Sequence, residues 1–219
     1  MRYEIKIPIQ QNLDSEFHNF ISYDKNIKKA FVDRVINSIY FDTENLSSAR
    51  NNLSGVSRRS KYRVRWYNKN LQNLNYEIKS KSNNLGKKII LKTNQDFKNL
   101  DNFYSIKNKF LNKEENNFFL GKIYDYDLKP VVKVSYIRSY YIYNNKVMIT
   151  YDKNLNYELI NKFQLKKNLF KDSMNVIEVK FNKEDYKLGS NLILGSNFYP
   201  KRFSKYLRSL YSFNIANYI

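Results

Sequence analysis

The chain has 219 residues, a formal net charge of +19, no cysteine and a single histidine. These counts exclude disulfides, thiolate metal sites and clusters of histidine ligands, and they argue against a Ser-His-Asp triad. A hydrophobic fraction of 42% with 16% aromatic residues argues against disorder, while the excess of lysine and arginine predicts a polyanionic partner such as nucleic acid, an anionic membrane or a phosphate-rich small molecule.

The first half of the chain alternates between strand-like and helical patterns. The predicted elements are a strand over 2–9, a helix over 13–31 with Asp14 or Ser15 as N-cap, a strand over 34–43, a short helix over 44–53 that ends at Gly55, and a basic strand over 58–68.

The second half is richer in strands. The predicted elements are a hairpin over 74–82 and 86–93, a helix over 96–120, strands over 131–143 and 146–152 joined by a turn at Asn144-Asn145, strands over 155–160 and 175–182, and a closing helix over 200–212. Together they predict one antiparallel, strand-dominated α+β domain over residues 1–219. No apolar run approaches the ~20 residues of a membrane span, and the first strand leaves no room for a signal peptide, so we expect a cytoplasmic location.

Four of the predicted strands alternate charged and apolar residues with a period of two. They are Arg2-Tyr3-Glu4-Ile5-Lys6, Lys61-Tyr62-Arg63-Val64-Arg65-Trp66, Tyr76-Glu77-Ile78-Lys79-Ser80-Lys81 and Ile177-Glu178-Val179-Lys180-Phe181. Residues two apart share a face of a strand, so each segment has an apolar face and a face of lysine and arginine with an occasional glutamate. If the strands close into a barrel with the charges inward, the interior suits a polyphosphate and a divalent metal.

An ordinary sandwich with polar residues facing solvent would show the same alternation. Two features favour an anion site instead. Lys61, Arg63 and Arg65 place three charges of one sign on one face, which is unfavourable unless an anion lies among them. Arginine also suits bidentate contact with phosphate better than lysine does.

Glu4, Glu77 and Glu178 each precede a lysine by two residues and share a face with it. Such pairs are either simple ion pairs or places where a carboxylate binds Mg²⁺ or Mn²⁺ together with phosphate oxygens and water. Glu178 is the preferred metal ligand because its strand is the most apolar of the four. The sequence has neither a GxxxxGK[ST] phosphate loop nor a GxGxxG motif, so any phosphate must be bound by side chains.

The order of motifs along the chain resembles the VTC domain, the polyphosphate polymerase domain of the vacuolar transporter chaperone family, which belongs to the triphosphate tunnel metalloenzyme (CYTH-like) superfamily. Beside the four strands above, the resemblance rests on Ser38-Ile39-Tyr40-Phe41-Asp42-Thr43, Ser135-Tyr136-Ile137-Arg138, Ile149-Thr150-Tyr151-Asp152 and Arg202-Phe203-Ser204-Lys205-Tyr206. It implies an antiparallel β-barrel tunnel with flanking helices, in which a basic lining holds ATP and a growing polyphosphate chain.

The resemblance also implies roles for individual residues. The catalytic phosphate ligands would be Arg63, Arg65, Lys79, Arg138 and Lys180. Further phosphate-binding residues would be Lys6, Lys61, Arg202, Ser204, Lys205 and Lys87, with Lys88 as the alternative to Lys87 in that loop. Glu178 matches the family's metal-ligating glutamate, which would bind Mn²⁺ or Mg²⁺.

Two departures from the family pattern bear on function. Met148 occupies the position where the family usually has an arginine before Ile-Thr-x-Asp, so one phosphate contact is lost or supplied elsewhere. Arg2 replaces the first glutamate of the ExExK pattern of the triphosphatase branch, which favours the polymerase branch. The SPX domain and membrane helices of eukaryotic members are absent, which leads us to expect a solitary cytoplasmic domain.

The leading hypothesis is therefore a metal-dependent polymerase that transfers the γ-phosphate of ATP to polyphosphate. One alternative is a triphosphate hydrolase of the same fold, acting on tripolyphosphate or a nucleoside triphosphate. Another is a non-catalytic polyanion-binding domain, for which nucleic acid is a less favoured ligand, and whose affinity would fall steeply with salt.

Overall fold

A computed structural model describes residues 2–82, 85–93, 127–160 and 168–215. The strands in these ranges are β1 (Arg2–Gln10), β2 (Ile27–Asp42), β3 (Arg58–Tyr67), β4 (Asn70–Ser82), β5 (Leu85–Thr93), β6 (Lys129–Tyr143), β7 (Val147–Leu159), β8 (Asn168–Lys171) and β9 (Met174–Asn182). The α-helices are α1 (Asp14–Tyr23), α2 (Ser47–Leu53), α3 (Tyr186–Gly195) and α4 (Lys205–Ser212).

The strands form a largely antiparallel sheet. Its hydrogen-bonded order is β1-β9-β7-β6-β2-β3-β4-β5, and β8 pairs with β7. The pairs β1–β9, β7–β9, β2–β3, β3–β4 and β4–β5 are antiparallel. The predicted antiparallel α+β class is confirmed, while the helix predicted over 96–120 lies outside the described residues.

The chain divides into two compact units. The first draws on Met1–Val35, Ser135–Asn156 and Lys171–Ser204, and the second on Ile36–Val134, Tyr157–Phe170 and Lys205–Ile219. The single domain predicted from the sequence stays a prediction.

The core of the first unit is built on the apolar faces of β1, β7 and β9. Ile7, Ile149, Ile177 and Val179 are each at most 3% exposed and pack with side chains from α1 and α3. Because side chains alternate along a strand, burying these residues turns their charged neighbours to the opposite face. Glu4, Lys6, Glu178 and Lys180 are these neighbours.

The core of the second unit is built in the same way on β2, β3 and β4. Its buried members are Ile39, Phe41, Tyr62, Val64, Trp66, Leu74, Tyr76, Ile78 and Leu128. The apolar positions of both predicted charged strands therefore lie inside, as the period of two requires. The opposite face carries Arg63, Arg65, Glu77 and Lys79.

Helix α1 is shorter than predicted. It ends at Tyr23, and β2 begins at Ile27 instead of near residue 34. A local turn competes with the helix there, because Asp24 is extended and its carboxylate accepts a hydrogen bond from the Asn26 N–H at 2.9 Å. The predicted N-cap was also wrong, since Leu13 takes that position.

Other elements also differ from the sequence prediction. The strands predicted over 146–152 and 155–160 are one strand, β7, which passes through Asn154 in the left-handed conformation with a φ of 55°. The closing helix, predicted from residue 200, begins at Lys205. Helix α3 and strand β8 were not predicted.

Helix α3 packs against β9 at very short range. A Cβ atom on Gly189 would lie 2.4 Å from the Phe181 ring, nearer than real side-chain contacts allow. Glycine is therefore required at this position for the helix to reach its packing distance. Among the described residues, no helix is both long and apolar enough to cross a membrane.

Candidate functional site: two clusters of buried charge

The second unit contains a cluster of charged side chains around Glu77, here called the Glu77 cluster: Arg63, Arg65, Glu77 and Lys88. Arg63 on β3 lies directly opposite Glu77 on β4. The Arg63 Nε donates to Glu77 Oε2 at 2.6 Å, and Lys88 Nζ donates to Oε1 at 2.8 Å. Arg65 Nη1 lies 4.0 Å from Oε2. Three cationic groups thus converge on one carboxylate that is only 2% exposed.

The surrounding cations determine the ionisation of Glu77. Burial alone would raise its pKa, but Arg63, Arg65 and Lys88 outweigh that effect and lower the pKa to about 2. Burial also lowers the pKa of Lys88, although its ion pair with Glu77 opposes this shift. The carboxylate therefore remains ionised at neutral pH and holds the two guanidinium groups in place.

This depressed pKa predicts a pH dependence of stability. Because the folded-state pKa lies below the ordinary value of 4.5, Glu77 stabilises the protein above about pH 4.5 and loses that contribution as the pH falls towards 2. We expect the difference in free energy of unfolding between wild type and Glu77→Gln to shrink by about 3 kcal/mol across that window. Urea denaturation at a series of pH values measures it, and a pH-independent difference would contradict the assignment.

Two side chains of β2 support the arginines of this cluster. Ser38 lies opposite Arg65 and accepts a hydrogen bond from its Nε at 3.1 Å. Tyr40 lies opposite Arg63, and its hydroxyl accepts from Nη1 at 3.1 Å. Burial would raise the pKa of Tyr40, but the nearby positive charges of Arg63, Arg65 and Lys205 lower it.

The start of helix α4 is anchored in the second unit through Tyr206. Its hydroxyl donates to the Asp42 carboxylate at 2.6 Å, and its ring stacks on Tyr40 with 5.1 Å between centroids. Asp42 is fully buried and also accepts the backbone N–H groups of Ser48 and Ala49 in α2 at 2.8 and 3.0 Å. These contacts fix the backbone next to Lys205, the first residue of α4.

The first unit contains a second cluster, here called the Glu178 cluster: Glu4, Lys6, Arg138, Asp152, Glu178 and Lys180. Glu178 Oε2 accepts from Lys180 Nζ at 2.9 Å and from Arg138 Nη2 at 3.3 Å. Lys6 Nζ lies 3.7 Å from Glu178 Oε1 and 3.5 Å from Glu4 Oε1. A single ammonium therefore contacts two carboxylates on neighbouring strands.

Arg138 on β6 is oriented by Asp152 on β7. Its Nε and Nη2 donate to the two oxygens of the fully buried Asp152 carboxylate at 2.5 and 2.7 Å. Such a bidentate pair fixes the plane of the guanidinium group. Burial would raise the pKa of Glu178, but Lys6, Lys180 and Arg138 hold it well below its usual range.

The segment before α4 is held against β1 in the first unit. The Lys201 N–H donates to the Lys6 carbonyl at 3.0 Å, and Lys6 Nζ lies 3.4 Å from the Phe203 carbonyl oxygen. These bonds bring residues 201–204 beside the Glu178 cluster. Arg202 itself is exposed and Ser204 is half-buried.

The structure therefore brings many of the predicted site residues together, but not all of them. The predicted residues found in the two clusters are Lys6, Arg63, Arg65, Arg138, Glu178 and Lys180. Lys61 and Lys79 lie opposite each other, two residues along the strands from Arg63 and Glu77 and on the same face. Lys205 is half-buried at the start of α4.

The loop lysines show the largest difference from expectation. Lys88 lies opposite Lys79, on the face of Glu77, and contacts that carboxylate. Lys87 lies opposite Ser80 and is exposed on the other face, so the structure does not bring it to the cluster. Side chains alternate between the two faces of β5, so only one of the two lysines can face Glu77. The pairing register of β5 with β4, which determines that this is Lys88, could not be predicted from the sequence.

Four residues in or beside these clusters received no role in the sequence analysis: Ser38, Tyr40, Thr150 and Asp152. Ser38 and Tyr40 are two apart on a β-rich segment, as are Thr150 and Asp152, so each pair had the period of the charged strands. A search for polar residues at that spacing would have found them.

The Glu178 cluster has donors that suit a divalent metal supplied together with a phosphate. The carboxylates of Glu178 and Glu4 both contact the Lys6 ammonium and are therefore close to each other. Mg²⁺ or Mn²⁺ commonly binds one or two carboxylates together with phosphate oxygens and water. No group of three or more His, Asp or Glu side chains that could hold a metal by themselves occurs in the described part of the chain. The residues therefore fit a metal that phosphate oxygens help to hold.

Comparisons with known proteins identify the family of the chain and solved structures of similar fold. No curated protein matches the sequence, but the sequence profile of the VTC domain matches residues 2–214. HpAC1 from Hippeastrum, named for adenylyl cyclase and described as having a dominant triphosphatase activity, is 14% identical with a TM-score of 0.55 over 95% of this chain and 96% of that one.

Two bacterial structures named for adenylate cyclase are similar as well. The protein from Bacillus halodurans is 12% identical with a TM-score of 0.54 over 97% of this chain and 98% of its own. The protein from Vibrio parahaemolyticus is 11% identical with a TM-score of 0.53 over 95% and 97%. At these identities the likeness shows a shared fold alone. The profile match over almost the whole sequence shows that the chain belongs to the VTC domain family.

Proposed function

We propose that the chain is a metal-dependent polyphosphate polymerase, which transfers the γ-phosphate of ATP to the end of an inorganic polyphosphate chain. The observation that carries this proposal is the convergence of Arg63, Arg65 and Lys88 on the buried Glu77 carboxylate. Cationic groups gathered at short range repel one another, so an anion with several oxygens binds favourably among them. Membership of the VTC domain family identifies polyphosphate and ATP as the anions to test.

In this proposal the arginines act by positioning and charge stabilisation. Phosphoryl transfer spreads negative charge over the equatorial oxygens of the transferred group, and preorganised guanidinium groups stabilise that charge. Arg63 and Arg65 are preorganised by Glu77, Tyr40 and Ser38. Arg138 is preorganised in the same way by Asp152.

Lys6 and Lys180 would neutralise further phosphates of the substrates. Both contact Glu178 through flexible side chains, so either ammonium can turn to a phosphate oxygen without a change in the backbone. Glu178, with Glu4, would hold Mn²⁺ or Mg²⁺, which when bound screens the repulsion between phosphate groups. Arg202, Ser204 and Lys205 would bind phosphates at the segment that precedes and begins α4.

The ionisation of the buried carboxylates favours transfer to polyphosphate over hydrolysis. A hydrolase benefits from a general base whose pKa lies near neutrality. The pKa of Glu77 is about 2, and that of Glu178 is well below its usual range, so both are weak bases. The terminal phosphate of polyphosphate is already largely ionised at neutral pH and attacks the γ-phosphorus without such a base, releasing ADP.

Hydrolysis of a triphosphate is the second candidate. The dominant triphosphatase activity described for the Hippeastrum protein of similar fold favours it. Attack by water instead of polyphosphate would use the same phosphate contacts and release orthophosphate.

Incubation of the purified protein with ATP, Mn²⁺ and a short polyphosphate primer tests the proposal. We expect long phosphate chains on a polyacrylamide gel and one ADP released for each phosphate added. Orthophosphate release without chain growth would establish the hydrolase instead. Binding of polyphosphate without chain growth or hydrolysis would instead indicate a non-catalytic polyanion-binding domain. Its affinity for polyphosphate should fall steeply as the salt concentration rises.

A further inference from the structure

Thr150 carries a buried hydroxyl with no hydrogen-bond partner among the described residues. The residue lies on β7 and is only 3% exposed. An unsatisfied buried hydroxyl typically costs about 1–3 kcal/mol, so its presence calls for an explanation. Valine has the same shape and would fill the position without that cost.

The residue that faces Thr150 on the neighbouring strand is Glu178, whose carboxylate is a hydrogen-bond acceptor. The register of β7 and β9 places Thr150 directly opposite Glu178, where side chains on one face lie about 5 Å apart at their Cβ atoms. Yet Lys180 and Arg138 donate to one oxygen of that carboxylate, and Lys6 lies near the other. The Thr150 hydroxyl is therefore beside an acceptor that other groups already hold.

The neighbours of Thr150 along β7 offer no substitute. Met148 and Asp152 share its face, and Met148 lies opposite Lys180. A thioether is a weak acceptor, and the Asp152 carboxylate is engaged by Arg138 on both oxygens. The Thr150 hydroxyl would gain an acceptor most simply if the Glu178 carboxylate lost one of the cationic groups that it now contacts.

We infer that Thr150 is a positioning residue for Glu178, whose hydroxyl donates to the Glu178 carboxylate when a bound phosphate draws Lys6 and Lys180 away from it. The inference rests on the proposed function, because a phosphate must compete for these two ammonium groups. The Thr150 hydroxyl then replaces a lost contact and keeps the carboxylate oriented in the occupied site. The ligand need not reach the hydroxyl itself, which agrees with its burial.

Thr150→Val and Thr150→Ser test this inference, with inorganic tripolyphosphate as the probe. Without ligand, we expect Thr150→Val to melt at the same temperature as wild type or higher, since the substitution removes an unsatisfied polar group. Its dissociation constant for tripolyphosphate, measured by calorimetry, should be about tenfold weaker, while that of Thr150→Ser stays within about twofold of wild type.

Ser139→Ala is the matched control. This hydroxyl is also buried in the first unit, at 2% exposed, but donates to Asp33 at 2.8 Å. Its loss should lower the melting temperature and leave tripolyphosphate affinity unchanged, the opposite pattern to Thr150→Val.

Two results would overturn the inference while leaving the proposed function standing. One is Thr150→Val binding tripolyphosphate as tightly as wild type. The other is a melting temperature of Thr150→Val below that of wild type without ligand, which would show that an ordered water already satisfies the hydroxyl. If wild type itself binds no tripolyphosphate, the proposed function fails and this inference fails with it.

Discussion

Replacing Glu178 with glutamine is expected to reduce turnover by at least about 100-fold at saturating ATP and Mn²⁺. The substitution keeps the shape of the side chain but removes the charge that contacts Lys6, Arg138 and Lys180. It also removes the proposed metal ligand. Initial rates of ADP release at several Mn²⁺ concentrations measure both effects.

A binding measurement separates loss of function from loss of fold. With the carboxylate gone, the three cations lose their anionic partner, so Glu178→Gln should bind tripolyphosphate at least as tightly as wild type in the absence of metal. Glu158→Gln is the control, since Glu158 pairs with Lys133 at 3.1 Å outside both clusters. Wild-type turnover in Glu178→Gln would remove Glu178 from the proposed site.

Replacing Arg65 with alanine is expected to lower kcat/KM for ATP by about 100- to 1,000-fold, which is typical for loss of one preorganised charge-stabilising group. Arg65 is buried at 7% exposed, and its Nε donates to Ser38. An arginine whose side chain faces solvent would have neither this burial nor this hydrogen bond. Arg65→Lys keeps the charge but loses the planar fork, so it should recover only part of the activity.

Arg58→Ala is the matched control for this prediction. Arg58 lies on the same strand, β3, but is exposed and on the opposite face from Arg65. Its loss should leave kcat/KM unchanged while removing the same number of charges. Equal effects of the two substitutions would indicate a role for overall charge instead of a specific phosphate contact.

The charged strands were predictable because burial imposes a simple rule on them. Val64 and Trp66 must face the core, so Arg63 and Arg65 must face the other way. The same rule applies to Val179 and Glu178. The sequence therefore predicted which residues share a face of a strand. The motifs on these strands also predicted the family.

Pairing between strands could not be predicted in the same way. Nothing in the sequence states that Glu77 lies opposite Arg63, or that Lys88 and not Lys87 reaches it, because register depends on turns and on neighbouring strands. The partners of Asp152 and Tyr40 could not be predicted for a related reason. Their spacing indicates which residues share their face, but the arginines that they contact lie on other strands, which a pattern within one segment does not reveal.

The helices show a different limit. Helix α1 was predicted too long because Phe17, Phe20 and Ile21 have helical spacing, and the turn at Asp24 ends the helix despite continued apolar residues. Helix α3 was missed although Leu188, Leu192 and Ile193 have suitable spacing, since Gly189 lowers the helical propensity of the segment.

The contact between Gly189 and Phe181 has a consequence for related sequences. A methyl group at position 189 would overlap the aromatic ring, so any relative with alanine or serine there should have a smaller residue than phenylalanine at position 181. The two sites should therefore vary together during evolution. Because Phe181 follows Lys180 on β9, such paired exchanges would alter the strand that carries two cluster side chains without touching either of them.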